Sequence, residues 1–581
     1  MNRIAISMLV LAVSIGFGSQ SDAFQPPNPK GDKLGDTLAK LRQRSLQQKA
    51  KAEREAAKNF TPYSADKTRK TLKQISPSSL GSPITVEKLN AVLAAELVKL
   101  GQTSDGNPIP DDQFIRRVYL DVIGQLPSPA DIREFMAEPS PTKRGKLVDR
   151  LLALPQFGEN WGRYWHDAIS YRNTAGRNRE IPFEFQPWIS EQFNKNIGWD
   201  KIVTAIIAAN GKSADAPQGL LLAAHEMMPA EMAGETARLF MGLQISCAQC
   251  HDHPNDHWKR TQFHELAAFF GKVVVRRNVA DMFRSAEIQE RRFGGEYRMP
   301  NLENPSDPGT TTMPIFLTGQ SAPSRAGDIE RRTALAEMVT TPKNPLFAKA
   351  FVNRVWASFV GSPFTDAVDD IGEQHQPSLP KTFDALAKSF ASSKYDVKRL
   401  MKTIVLSDAY QRQYEAAGEE SSPKSSAAAP IRLASTQIFD ALTWAVGDLG
   451  PPRNRLLGGP RAQRFQGVSQ MVETVFGFDP SSDAGEIEGS IPQALLLMNN
   501  PQIHGRINAN RSETILAKVL KSHPSNDDAI RALYLRVLAR TPTEAELGRC
   551  RSFLSEVSNR GEAFEDILWA LVNTVEFLHN H

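Results

Sequence analysis

"GETARLFMGLQISCAQCHDHPNDHWKRTQFHELAAFFG", residues 234–271, contains two runs of helical periodicity on either side of a turn dense in Cys, His and Asp. Apolar residues recur at three- and four-residue spacing at Ala237, Phe240 and Met241 before the turn, and at Phe263, Leu266, Ala267 and Phe270 after it. Pro254 and the polar run around it cannot continue either helix, so the sequence predicts helix, turn, helix, with the chemically rich residues on the turn.

The same period extends outward in both directions. It recurs in "VEKLNAVLAAELVKL", "FIRRVYLDVI", "KLVDRLLAL" and "ENWGRYWHDAISY" upstream, with Pro or Gly between the runs. Downstream it returns in "DIERRTALAEMV", "NPLFAKAFVNRVWASFV", "DVKRLMKTIVL", "STQIFDALTWAV" and "DAIRALYLRVL", interrupted by the low-complexity stretch Gly418–Pro430. Between these halves "KVVVRR", "RRFGGEYRM" and "MPIFLTG" are separated by Pro, Gly and Asn, which suggests short strands. The fold class expected is therefore mainly α: two multi-helical domains, 84–275 and 327–581, with a small β-rich or irregular insertion at 276–326. Two segments, beginning at Asp111 and Asp527, echo each other as helix, Pro turn and second helix; with only two distant copies they indicate similar hairpins and no solenoid.

A chain of 581 residues exceeds one ordinary core. Residues 1–23 have the form of an export signal, with Arg3, an apolar run Ile4–Phe17 and Ser21-Asp22-Ala23 before a mature start near Phe24. Residues 24–82 carry 13 Lys or Arg against 5 Asp or Glu and few core-forming residues, and are expected to be a basic disordered or helical tether. The formal net charge of +4, less that surplus of eight, leaves about −4 on residues 83–581. A basic excess confined to a tail does not indicate nucleic-acid binding, and no later stretch has the apolar length to span a bilayer. The expected location is exported: periplasmic, cell-surface or secreted.

Three cysteines do not make a disulfide scaffold, and Cys550, in a helical pattern, is expected to be a buried thiol. Cys247, Cys250 and His251 form Cys-x-x-Cys-His, the arrangement in which two thiols add to haem vinyl groups and the histidine on the same turn becomes the proximal iron ligand. Alternatives remain in the same stretch. Cys247, Cys250, His253 and His257 could hold zinc or non-haem iron, although the central gap is far shorter than in zinc fingers, and the two cysteines could simply close a disulfide. For a sixth haem ligand Met241, Met282, Met299, Met313, His257 and His264 are all available, and none stands out.

Other motifs fail on their own chemistry. "NGKS" at Asn210 has Ile206 where a phosphate loop needs Gly, "HELAA" at His264 and "HEMMP" at His225 lack the second zinc-ligating histidine, and no G-x-S-x-G elbow is present. Trp161 and Trp165, one helical turn apart beside His166 and Asp167, are expected to be aromatic core. The stretch "DAVDDIGEQH" gathers Asp366, Asp369, Asp370, Glu373 and His375 in a loop; a solvated, helix-capping role is favoured over cation binding or acid–base work.

Three stretches, "FIRRVYLDVIGQLPSPADIREFM", "KRGKLVDRLLALPQFGENWGRYWHD" and "CAQCHDHPNDHWKRTQFHELAAFF", closely resemble the planctomycete cytochrome-C-type domain of the second kind. "NPLFAKAFVNRVWASFVG", "DDIGEQH", "DVKRLMKTIVLSDAYQRQ", "PQALLLMNNPQ" and "FEDILWALVNTVEFLHNH" look like the planctomycete-specific, PSD-type domain that usually follows it. The resemblance implies two domains of unknown function. It also implies a separate redox partner, because larger relatives often carry an additional cytochrome-like domain where this chain has only the tether. The family loop typically ends in Asn, so His375 is a departure. The expected function is a c-type haem protein for electron transfer or a linked oxidation. The contrasting expectations are a metal-stabilised binding or scaffolding protein at the cell surface, acting on polysaccharide or another surface component, and a hydrolase built on Asp369, Asp370 and Glu373.

Overall fold

The computed structural model describes residues 70–101, 108–173, 183–225, 228–278, 280, 285–291, 296–372, 375–412, 429–450, 467–482 and 489–580. The export signal, residues 24–69 of the tether, Met282, Glu373 and the low-complexity stretch 418–428 lie outside them.

Mainly α structure follows from local signals that agree with the apolar period. Thr85 accepts a hydrogen bond from the Lys88 amide at the start of helix Val86–Lys99. Ser128 and Asp131 form a reciprocal capping box on helix Pro129–Ala137, as Thr543 and Glu546 do on helix Glu544–Glu556. Helix Asp111–Ile123 and helix Asn526–Val537 each precede one of these capped helices, so the two echoing segments build the same helical hairpin.

The strands are few and antiparallel. β1 (Gly211–Lys212), β2 (Val273–Arg277) and β3 (Ala286–Glu290) make a sheet in the order β1-β3-β2, with Ile288 opposite Gly211 on one side and Val275 on the other. A second pair joins Arg298–Met299 to Thr310–Thr311. Of the stretches expected to be strands, "KVVVRR" is one, and among the described residues of "RRFGGEYRM" the last two are strand. "MPIFLTG" makes a single bridge, Ile315 to Ser321, because Pro314 lacks the amide a ladder needs. β1 is too short to show a period of two, whereas β3 alternates, with Ala286 and Ile288 buried and Glu287 and Gln289 half-buried.

The hydrophobic core does not stop at the insertion. One buried cluster runs from Leu89 to Tyr410 and includes helices from both sides of it. At its centre Trp165 and Trp199 have ring centroids 4.3 Å apart, Phe351 lies 4.7 Å from Trp199, and Phe390 lies 4.9 Å from Phe351. Trp161 and Trp165 are thus core residues, as their spacing indicated. A second cluster, Leu433 to Phe577, also takes in Leu120 and Leu126. Helix Asp111–Ile123 stitches the two together. Arg117 donates to the Tyr410 carbonyl at 2.7 Å, and Arg116 donates to the carbonyls of Glu576 (2.8 Å) and His579 (3.1 Å). Asp121 accepts from the Tyr410 hydroxyl at 2.7 Å and from the Asn580 amide at 2.6 Å. Residues 65–581 accordingly form one compact unit. Cys550 is half-buried against the second cluster beside Tyr534, where burial raises its thiol pKa.

Truncating Phe351 to Ala removes a ring that packs on both Trp165 and Trp199, and should cost about 3–5 kcal/mol. Urea unfolding followed by tryptophan fluorescence and by circular dichroism should shift together; a transition confined to residues beyond 327 would contradict a shared core.

Candidate functional site

Helix Pro229–Met241 ends at Gly242, whose φ of 62° is left-handed and favours glycine. The position has a second constraint: a Cβ on Gly242 would lie 2.7 Å from Ile371 Cγ1, and the Gly242 carbonyl accepts the Ile371 amide at 2.8 Å. The chain then enters a short 3-10 turn, Ile245–Gln249, with Ile245 and Ala248 buried and Cys247 and Cys250 exposed as free thiols.

The turn is held by its surroundings. The Gln249 carbonyl accepts from Arg260 Nε at 3.1 Å and from His264 Nε2 at 3.0 Å, and His264 Nδ1 faces the Tyr297 hydroxyl at 2.8 Å. Burial drives the His264 pKa down to about 4, so the ring is neutral and can serve both partners. Past the cysteines, Asp252 takes the Arg260 amide at 2.9 Å and the Lys259 ammonium at 2.9 Å, and those bonds hold its carboxyl below the usual range. The His253 amide donates to the Trp258 carbonyl at 2.8 Å, closing the loop on a buried indole.

The expected ligands separate into two sets. His251 is exposed, with Nδ1 2.7 Å from the Asp252 carbonyl. A carbonyl can only accept, so Nδ1 carries the proton and Nε2 keeps its lone pair for a metal, the second-shell arrangement common to ligating histidines. His253 and His257 are placed differently. His253 Nε2 faces the Gln244 carbonyl at 3.2 Å while Nδ1 accepts the Asn255 amide at 3.3 Å, so both its nitrogens are engaged. His257 Nδ1 lies 2.8 Å from Asp256, and its ring stacks 4.1 Å from that of Trp258. Among the described residues no three His, Cys, Asp or Glu side chains converge so as to hold an ion, and the set Cys247, Cys250, His253 and His257 is not assembled.

Two thiols on the open side of a preformed turn, beside an imidazole of preset tautomer, are the groups covalent haem attachment requires, and the residues fit that cofactor. The surface around them is polar, with Ser246, Asp252, Asn255 and Lys259 exposed. Of the sixth-ligand candidates, Met241 is fully buried in its helix and His264 has both nitrogens engaged, which leaves Met299 and Met313, half-buried, as the sulfur donors among the described residues.

The loop expected to be solvated departs most from its sequence reading. Asp369 is 2% exposed; it accepts from Arg238 at 2.6 Å and Gln244 at 3.0 Å, and Arg354 lies 3.8 Å away. Burial would raise its carboxyl pKa, but the two guanidinium charges outweigh that and hold it below the usual range. Asp369 is locked in an ion network and cannot serve as a hydrolase acid, while Asp370, raised by desolvation, faces His375 Nε2 at 3.2 Å. Among the described carboxylates of the loop, Asp366 alone is largely solvated. Sequence reasoning missed Arg238 and Gln244, since an arginine within a helix and a glutamine in a turn carry no motif.

The fold and site together define a helical protein that presents a dithiol–imidazole turn built on residues from both halves of the chain. Residues 88–274 match the family model PSCyt2, a protein of unknown function (DUF1549), and residues 331–554 match PSD1, a protein of unknown function (DUF1553). The chain is a PSCyt2–PSD1 protein, with the two domains in the order its motifs indicated. No curated protein and no solved structure matches it. Among the described residues no helix is long and apolar enough to cross a membrane.

Two outcomes follow from this geometry. Since the thiols point to solvent and the turn is held by other groups, Cys247→Ser/Cys250→Ser should change unfolding free energy by less than about 1 kcal/mol in denaturant titration. His264, depressed from an unfolded value near 6.5, leaves folding unpenalised above that pH; below it the unfolded chain binds a proton the native state refuses. Stability should therefore fall between pH 6.5 and 4, by on the order of 2 kcal/mol from this group, and His264→Gln should flatten that part of the pH profile relative to wild type.

Proposed function

We propose that this chain is an exported c-type haem protein, with Cys247 and Cys250 as the thioether positions and His251 as the proximal ligand, serving electron transfer or a linked oxidation outside the cytoplasm. The single observation that carries the reading is the turn itself. It places two exposed thiols and a histidine whose Nδ1 is already committed to a backbone carbonyl on one short, externally braced segment.

Haem bound there would supply a one-electron couple. The protein's own contributions are separable. The Asp252 carbonyl orients the imidazole and raises its basicity, His264 and Arg260 fix the backbone between the cysteines, and the polar rim leaves the attached group open to water. Solvent access favours the more highly charged ferric state, so the reduction potential should be low, and an open edge suits exchange with a separate redox protein. The basic tether, of opposite sign to the folded part, is suited to holding the chain near an anionic surface component. Among the described residues the four-ligand set of the zinc alternative is not assembled.

The test is a visible spectrum and a haem stain on a denaturing gel, using protein exported from a host with cytochrome c maturation. A Soret band with covalent stain, both lost in Cys247→Ala/Cys250→Ala, is the expected result. A colourless wild type from that host refutes the reading.

A further inference from the structure

We infer that Asp369, a residue of the second family domain, is the positioning residue of the cysteine turn in the first. The inference deepens the haem-attachment reading and rests on it. Asp369 uses its two carboxylate oxygens on two different parts of the same segment. Oδ2 accepts from Arg238, one turn before the helix ends, and Oδ1 accepts from Gln244, three residues before Cys247. Two residues on, the Ile371 amide donates to the Gly242 carbonyl and the Ile371 side chain fills the space a Cβ at Gly242 would need. The approach to the turn is therefore clamped at 238, 242 and 244 by one short loop, 369–371.

Arg238 is rigid in its own right. It donates to Glu235 through Nε at 3.0 Å, to Ser481 through NH1 at 2.8 Å and to the Ala168 carbonyl through NH2 at 3.1 Å. The clamp is thus referenced to three separate parts of the fold. Gln244 passes the constraint forward, since its carbonyl faces His253 Nε2 beyond the cysteines at 3.2 Å. Asp369 touches neither thiol nor His251, and it acts through Gln244 and Arg238.

The experiment compares wild type, Gln244→Ala, Asp369→Asn and Asp369→Glu as full-length chains. The Gln244 side chain is peripheral to the ion network, so this variant should fold even if loss of the buried carboxylate charge unfolds Asp369→Asn. Two properties are read in folded protein: covalent haem per chain after export with the maturation system, and the dithiol–disulfide equilibrium of Cys247 and Cys250 in the haem-free chain against glutathione. The expected result is at least a threefold fall in haem occupancy and at least a threefold shift in the glutathione equilibrium for Gln244→Ala, with partial recovery in Asp369→Glu relative to Asp369→Asn where both fold. Unchanged values of both in folded Gln244→Ala overturn the inference. A wild type that takes no haem refutes the haem reading alone. The clamp is then judged by the glutathione equilibrium, which supports it if shifted and overturns it if not.

Discussion

A buried guanidinium is tolerable only when carboxylates and carbonyls surround it, and Arg238 imposes that requirement on four separate stretches of chain. Glu235 comes from its own helix, the Ala168 carbonyl from the end of helix Pro155–Ser170, Asp369 from a loop more than a hundred residues on, and Ser481 from further still. Removing a charge from water costs several kcal/mol, and the cost is offset only if every partner arrives. Such a network specifies one arrangement more sharply than it stabilises it. The apolar cluster around Trp165 and Phe351 supplies the driving force, while the ion network selects which packing of those helices is accepted.

The cysteine turn inherits its order from this arrangement. Its apolar residues Ile245 and Ala248 point inward and its thiols outward, an orientation set by neighbouring helices and independent of any ligand. His264 lies beneath it, bridging the Gln249 carbonyl and the Tyr297 hydroxyl, and burial keeps its ring neutral.

Most of the helices were legible in the sequence because burial on one side leaves a three-to-four residue period, and their caps carry Ser, Thr and Asp where the orphaned amides need acceptors. The turn that carries Cys247, Cys250 and His251 was legible because the polar run around Pro254 interrupts two helical periods. Asp369 was not. A carboxylate in a loop rich in Asp and Gly has the composition of a solvated turn, and what buries it, Arg238 and Arg354, lies 131 and 15 residues away in sequence. The extent of the core was hidden for the same reason: Trp199 and Phe351 each fit an ordinary amphipathic helix, and neither pattern names the other as its partner. The short strand β1 escaped because Gly-Lys is too short to alternate, and β3 because its two buried positions, Ala286 and Ile288, make a single repeat of the period.

The aromatic stack that crosses from Trp165 and Trp199 to Phe351 and Phe390 has a consequence for inheritance. A recombination event that delivered the first family segment to a new gene without the second would deliver half a core and a cysteine turn with nothing against its base. The boundary between the two family models therefore marks where sequence similarity breaks, and it falls inside a single unit of folding.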